Sequence, residues 1–185
     1  MYENITLDSI AHMGTYEEFV KMYKEGEQYK KDITGDTLLW TALCNTNNEE
    51  KYKIANFLKN KGADIKFINK EGLSLFFPLF SHGRDDIVKT TILCKTLLEK
   101  GADITLLYKP YNTVMFKNIF NYDNVPEIEM MPLYELIFAQ PGLKLLVKDK
   151  WGLTLLDFAK KAGRYIGVKY IEDYIKKYNL TNEQF

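Results

Sequence analysis

One phrase recurs along this 185-residue chain and limits what it can fold into. Asp32-Ile33-Thr34-Gly35-Asp36-Thr37-Leu38-Leu39 is one copy, Asn69-Lys70-Glu71-Gly72-Leu73-Ser74-Leu75-Phe76 a second, and Asp149-Lys150-Trp151-Gly152-Leu153-Thr154-Leu155-Leu156 a third. A glycine-led phrase precedes the later turns by a fixed step. Gly62-Ala63-Asp64-Ile65 begins twelve residues before Ser74, Gly101-Ala102-Asp103-Ile104 twelve before Thr113, and Gly142-Leu143-Lys144-Leu145 twelve before Thr154. A constant step inside a looser period of 37 to 41 residues marks a repeat array, in which each unit buries its apolar face against its neighbours.

Each copy carries the parts of a turn followed by a helix. Gly35 permits a tight turn, Thr37 can cap the next helix, and Leu38, Leu39, Ala42 and Leu43 keep a helical stripe. Glu49 and Glu50 favour the start of a second helix carrying Tyr52, Ile54, Ala55, Phe57 and Leu58, which Gly62 ends in the left-handed conformation. The next unit repeats this through Gly72, Ser74, Leu75, Phe76, Leu79 and Phe80. Pro78 is predicted to distort its short first helix, and Ser81-His82-Gly83 to close it. The fourth unit diverges. Tyr111 stands in the glycine position, Thr113 is predicted to hold the cap register, and residues 121–132 form an insertion before a helix through Leu133, Leu136, Ile137 and Phe138. The segment before Asp32 predicts two short helices with a polar outer face, as a terminal unit requires. The spacing therefore predicts a single domain over 1–185, in units of approximately 1–31, 32–68, 69–107, 108–148 and 149–185.

Charge and chemistry narrow the function by exclusion. Lysines and arginines balance aspartates and glutamates at 25 each, which argues against a nucleic-acid partner, since that needs a basic field. No apolar run approaches a bilayer's thickness, and Met1-Tyr2-Glu3-Asn4 lacks a signal-peptide pattern, so no membrane association and a cytoplasmic location are expected. Cys44 and Cys94 sit in apolar surroundings without Cys-x-x-Cys spacing and are expected to be buried, reduced thiols. The abundance of Lys, Asn, Ile and Tyr fits an AT-rich bacterial genome. His12 and His82 are the histidines, and neither lies in a nucleophile motif. Two Cys and two His scattered over the chain do not make a zinc cluster, and glycine-rich phosphate loops are absent. Glu17-Glu18 and Asp85-Asp86 open helices, where the helix dipole accounts for them. A non-enzyme with no metal and no cofactor is expected.

The phrase resembles the ankyrin repeat, whose unit reads Asp-x-x-Gly-x-Thr-Pro-Leu-His-x-Ala, then a glycine stop, a second helix and Gly-Ala-Asp-Val. Asp32, Gly35, Thr37, Leu39 and Ala42 match in one unit, Gly72, Ser74 and Gly83 in the next, and Asp149, Gly152, Thr154, Leu156, Ala159 and Gly163 in the last. The resemblance covers nearly the whole chain. It implies an all-α solenoid of stacked helix-turn-helix units joined by β-turn or hairpin fingers. The family's proline is replaced by Leu38, Leu75, Val114 and Leu155, and its histidine by Trp40, Phe77, Phe116 and Asp157. Those replacements exchange hydrogen bonds between units for apolar packing, so aromatic burial should hold the core.

The resemblance also implies protein binding through the finger tips and the open face of each first helix. Matched by position, the tip residues are Asp36, Lys70, Glu71, Leu73, Lys109, Asn112, Lys150, Trp151 and Leu153, with Tyr108 and Tyr111 on the fourth tip. The helix-face residues are Asn45, Ser81, His82, Asn121 and Lys161. Trp151 beside lysines is the leading hot-spot candidate, and packing of Trp151 and Tyr111 against neighbouring tips is the competing reading. Lys70, Lys109, Lys148 and Lys150 make an edge that could steer an acidic partner. Chains of this kind resemble immunity proteins that neutralise a cognate toxin. A monomer that inhibits a protein partner is therefore expected. An adaptor or a host-directed effector is the alternative, and an enzyme with its site in residues 121–132 a remote one.

Overall fold

An oxygen at the start of each repeated phrase folds that phrase into a turn. The computed structural model describes residues 5–81 and 85–181, so His82 and Gly83 lie outside the described residues. Asp32 Oδ1 accepts the N–H groups of Thr34 and Asp36, both at 2.9 Å. Asn69 Oδ1 accepts those of Glu71 and Leu73 at 3.0 Å, and Asp149 Oδ1 those of Trp151 and Leu153 at 2.9 and 3.0 Å. The residue three positions on is Gly35, Gly72 or Gly152, with φ of 91°, 81° and 79°. A side chain there costs about 1–2 kcal/mol, which is why glycine occupies the position. In the first two fingers the chain then returns beside itself, with Lys31 bridged to Thr37 and Ile68 to Ser74.

The third finger is built differently. Strand β1 (Leu107–Tyr108) pairs antiparallel with β2 (Thr113–Val114), Leu107 opposite Val114 and Tyr108 opposite Thr113. Its loop is residues 109–112, one residue shorter than the loops 32–36 and 69–73 enclosed by the bridges of the first two fingers. The left-handed residue is Asn112, with φ of 50°, so Tyr111 does not take over the glycine's role. Thr113 lies in a strand rather than at a helix cap, and a 3₁₀ turn, Lys117–Asn121, replaces the first helix of this unit.

The described chain is otherwise mostly helical. Helices α1 (Leu7–Met13) and α2 (Tyr16–Met22) come first, then α3 (Leu38–Leu43) with α4 (Asn48–Asn60), α5 (Phe76–Leu79) with α6 (Ile87–Glu99), α7 (Met131–Phe138), and α8 (Leu155–Lys161) with α9 (Tyr165–Lys177). Consecutive first helices pack together, α1 on α3 and α3 on α5, while α2 packs on α4, α6 on α7 and α7 on α9. Thr15, Thr37 and Thr154 cap their helices, and Thr15 with Glu18 and Thr154 with Asp157 form reciprocal capping boxes. Asp157 is therefore an exposed capping residue and adds nothing to the core. Ser74 does not cap. Pro78 has no N–H to offer the Ser74 carbonyl, so the Phe77 N–H takes it in a tighter bond of 3.0 Å. The Ser74 hydroxyl is left buried without a partner, and α5 shrinks to four residues.

Aromatic rings fill the space between elements. Phe116 is fully buried against Phe138, and Trp40 stacks on Phe77 at 6.4 Å and 5°. Cys94 is buried and Cys44 half-buried; both are free, and burial pushes the Cys44 thiol up to about 11, so it stays protonated near neutral pH.

Two buried polar clusters were not foreseen. Lys51 of α4 is fully buried and its ammonium lies 2.7 Å from Asp85. Tyr122 donates to the same carboxylate at 3.3 Å. Asp85 is therefore the counter-ion of a core lysine and not a dipole-compensating helix starter; Asp86 takes that part, capping α6. Arg164 is also buried, and its guanidinium donates to the carbonyls of Phe120, Tyr122 and Val125. The insertion is thus pinned from the last unit, with Glu127 accepting the Gly167 N–H at 2.9 Å.

Candidate binding face on the fingers

The fingers sit side by side and touch. Lys70 of the second finger lies across Gly35 of the first, where a Cβ would come within 2.6 Å of its Cε. Lys109 of the third reaches toward Gly72 of the second. The third and fourth fingers are joined by hydrogen bonds: the Lys150 N–H donates to the Tyr111 carbonyl at 3.0 Å, and the Asn112 amide to the Lys148 carbonyl at 2.8 Å.

Along this row runs a chain of rings. Phe77 meets Tyr108 at 5.0 Å, Tyr108 meets Tyr111 at 4.9 Å, and Tyr111 stacks on Trp151 at 5.7 Å. Tyr108 and Tyr111 are half-buried, while Trp151 is 62% exposed. Two ammonium groups lie against the rings. Lys150 Nζ is 3.8 Å from the Tyr111 ring and 4.5 Å from Trp151, and Lys117 Nζ is 4.4 Å from Phe158 and 5.4 Å from Trp151. Lys117 also pairs with Asp149 at 2.9 Å. Burial would raise the Asp149 carboxyl, but the Lys117 bond and the N–H groups of Leu153 and Trp151 outweigh it and hold the group below the ordinary carboxylate range. Burial, helped by Glu71, raises the Tyr108 phenol, so it remains a neutral donor.

Phe77, Tyr108, Tyr111, Thr113, Lys117 and Trp151 line a recess of about 200 Å³. Sites for drug-sized molecules run from about 300 Å³ upward, so the recess suits one side chain of a larger partner better than a free small molecule. Among the described residues no group of three or more His, Cys, Asp and Glu gathers as a metal site would require, and no helix is long and apolar enough to cross a membrane.

The predicted residues divide on this map. Tyr108, Lys109, Tyr111, Asn112, Lys150 and Trp151 come together on the third and fourth fingers. Lys70 and Glu71 are exposed on the second. Asp36, on the first, is half-buried and accepts the Thr34 hydroxyl at 3.2 Å. Leu73 is buried and Leu153 half-buried, because the return arm of each finger faces the core. Asn45 is not on an open face at all. It is 1% exposed and donates its amide to the carbonyls of Ala11 and Gly14, locking the end of α1 onto the end of α3. Ser81, Asn121 and Lys161 are exposed, but none joins the ring row. Two residues were missed. Lys117 is 32 residues from its partner Asp149, a distance no local pattern bridges. Ile33 is 99% exposed on the first fingertip, and an apolar residue inside an otherwise polar turn was a signal for it.

No protein-family model matches the sequence. No curated protein matches it either. Among solved structures, a chain from the complex of Bd0816, a predatory endopeptidase of Bdellovibrio bacteriovorus, with the immunity protein Bd3460 shares the general fold at a TM-score of 0.50; it is 18% identical, over 92% of this chain and 98% of that one. A functionally unknown protein from Leptotrichia buccalis C-1013-b is far nearer, 57% identical over 95% of this chain and 96% of its own, with a TM-score of 0.87. The present chain belongs to the same family as that Leptotrichia protein.

Proposed function

We propose that this chain is a non-enzymatic inhibitor of the immunity type, an ankyrin-like array with unit boundaries near residues 32, 69, 108 and 149 that grips a protein partner with its fingers. The observation that carries the reading is the ring row ending in Trp151, which is left 62% exposed on the outermost described finger. Burying one large apolar side chain against a partner gains on the order of 2 kcal/mol, and Trp and Tyr dominate interface energetics. The fold it shares with a chain of the Bdellovibrio immunity complex supports an inhibitor over a passive scaffold. The carboxylates of the insertion give the enzyme reading little help, since Glu127 is committed to the Gly167 N–H and Asp123 and Glu129 lie exposed on the surface.

The test is neutralisation. Affinity capture from the native cell, using the tagged chain, supplies the partner, and the partner's own activity is then measured with and without the chain. Inhibition by the wild type, weakened at least tenfold in Tyr111→Ala/Trp151→Ala, is the expected result. A partner whose activity persists when bound would make the chain an adaptor. Equal inhibition by the double variant would remove the ring row from the interface.

A further inference from the structure

The fingers carry cations without counter-ions. Among the described residues the ion pairs of Lys53, Lys61, Lys89, Lys95 and Lys160 involve helical lysines or helix ends, whereas Lys66, Lys70, Lys109, Lys148 and Lys150 of the fingers and their bases form none. The nearby aspartates are turned back into their own loops. Asp64 Oδ1 accepts the Lys66 N–H at 2.9 Å, Asp103 Oδ1 the Thr105 N–H at 2.8 Å, and Asp32 and Asp149 close their turns. Glu71 is the exposed acid of the second tip. A chain of zero net charge therefore presents a basic edge, and it does so beside the recess bounded by Tyr111 and Trp151.

Resting on the binding face proposed above, we infer that the partner presents an acidic, extended segment, which lies along Lys70, Lys109 and Lys150 and seats one side chain in the recess. Lys150 is the centre of the arrangement. Its ammonium is held over two rings and, among the described residues, forms no ion pair, so its position is set while its charge remains open to a partner. Lys117 differs, being neutralised by Asp149, and it shapes the recess without adding charge. A nucleic acid fits less well, because zero net charge supplies no wide attractive field.

Trp151 reports binding directly in the full chain once Trp40, the other tryptophan, is replaced as Trp40→Phe. Hexaglutamate should shift Trp151 fluorescence saturably, and hexaserine and hexalysine should not. Lys150→Gln and Lys109→Gln, each checked for an unchanged melting curve, should weaken hexaglutamate about three- to tenfold, and added salt should weaken it further. The inference is overturned if hexaserine binds as well as hexaglutamate, if neither substitution changes the affinity, or if hexauridylate binds more tightly than the peptide. It is also overturned by a captured partner whose inhibition is unaffected by Lys150→Gln, a result that leaves the inhibitor reading intact. Hexaglutamate binding that depends on both lysines supports it even if no partner is neutralised, a result that sinks the inhibitor reading alone.

Discussion

At the scale of single residues, Asp149 does two jobs that can be separated. Its Oδ1 closes the fourth finger, while Oδ2 holds Lys117 against the rings of Phe158 and Trp151. Asn69 does the first job in the second finger with an amide, so Asp149→Asn should keep the turn and lose the ion pair. The side chains of the pair are 3% and 15% exposed, and the loss should cost about 1 kcal/mol near neutral pH. The carboxyl is depressed in the folded state, so its contribution is complete above the unfolded value near 4 and disappears as pH falls through the folded value. Melting curves from pH 7 to pH 2 should show wild type and variant converging at the acid end. A constant gap between them would mean that the pair contributes nothing through charge. The turn itself was legible, because an Asx residue three before a glycine states its purpose locally. The partner of Oδ2 was not, since Lys117 arrives from another unit.

At the scale of elements, the ion pair between α4 and the start of α6 joins three separate stretches of the chain. Lys51 comes from α4, Asp85 precedes α6, and Tyr122 reaches in from the insertion. Removing one charge strands the other, so Asp85→Ala should cost about 3–5 kcal/mol in urea unfolding. Replacing both, as Lys51→Met/Asp85→Leu, should recover most of that loss. A double variant as unstable as the single one would show that the Tyr122 hydroxyl, and not the charge, is what suffers. Lys51 lies on the same helical stripe as Ile54, Ala55 and Leu58, but a lysine there reads as a surface residue, and its burial was not foreseen. The helices as a whole were legible: their apolar periods are clean and their caps are local. The third finger was not. One residue fewer in its loop shifts the pairing, moves the left-handed position to Asn112 and turns the predicted cap Thr113 into a strand. Such a register change depends on pairing across the hairpin, and its one trace in residue type, Tyr111 in the glycine position, does not say where the left-handed residue moves.

At the scale of the molecule, the question is whether an assembly of near-neighbour contacts melts as one body. In the array proposed above, contacts limited to neighbouring units would favour piecemeal unfolding, with the ends fraying first. Two features oppose this. The Lys51 cluster ties α4, the start of α6 and the insertion, and Arg164 binds the carbonyls of Tyr122 and Val125 in the insertion and of Phe120 just before it. The two tryptophans report on opposite ends of that linkage, Trp40 in α3 and Trp151 in the fourth finger. Single-tryptophan chains carrying Trp40→Phe or Trp151→Phe should therefore give coincident urea transitions, the mark of one cooperative unit. Arg164→Met keeps the length of the side chain and removes the clasp. It should cost about 3 kcal/mol and split the two transitions, with Trp151 responding at lower urea than Trp40. If the transitions are already separate in the chain with Arg164 intact, the clasp does not couple the units, and the ring row would be free to open while the first units stay folded. If they stay coincident in Arg164→Met, cooperativity lies in the ring packing from Phe77 to Trp151. Substituting Tyr108 with alanine, which interrupts that row, should then separate them.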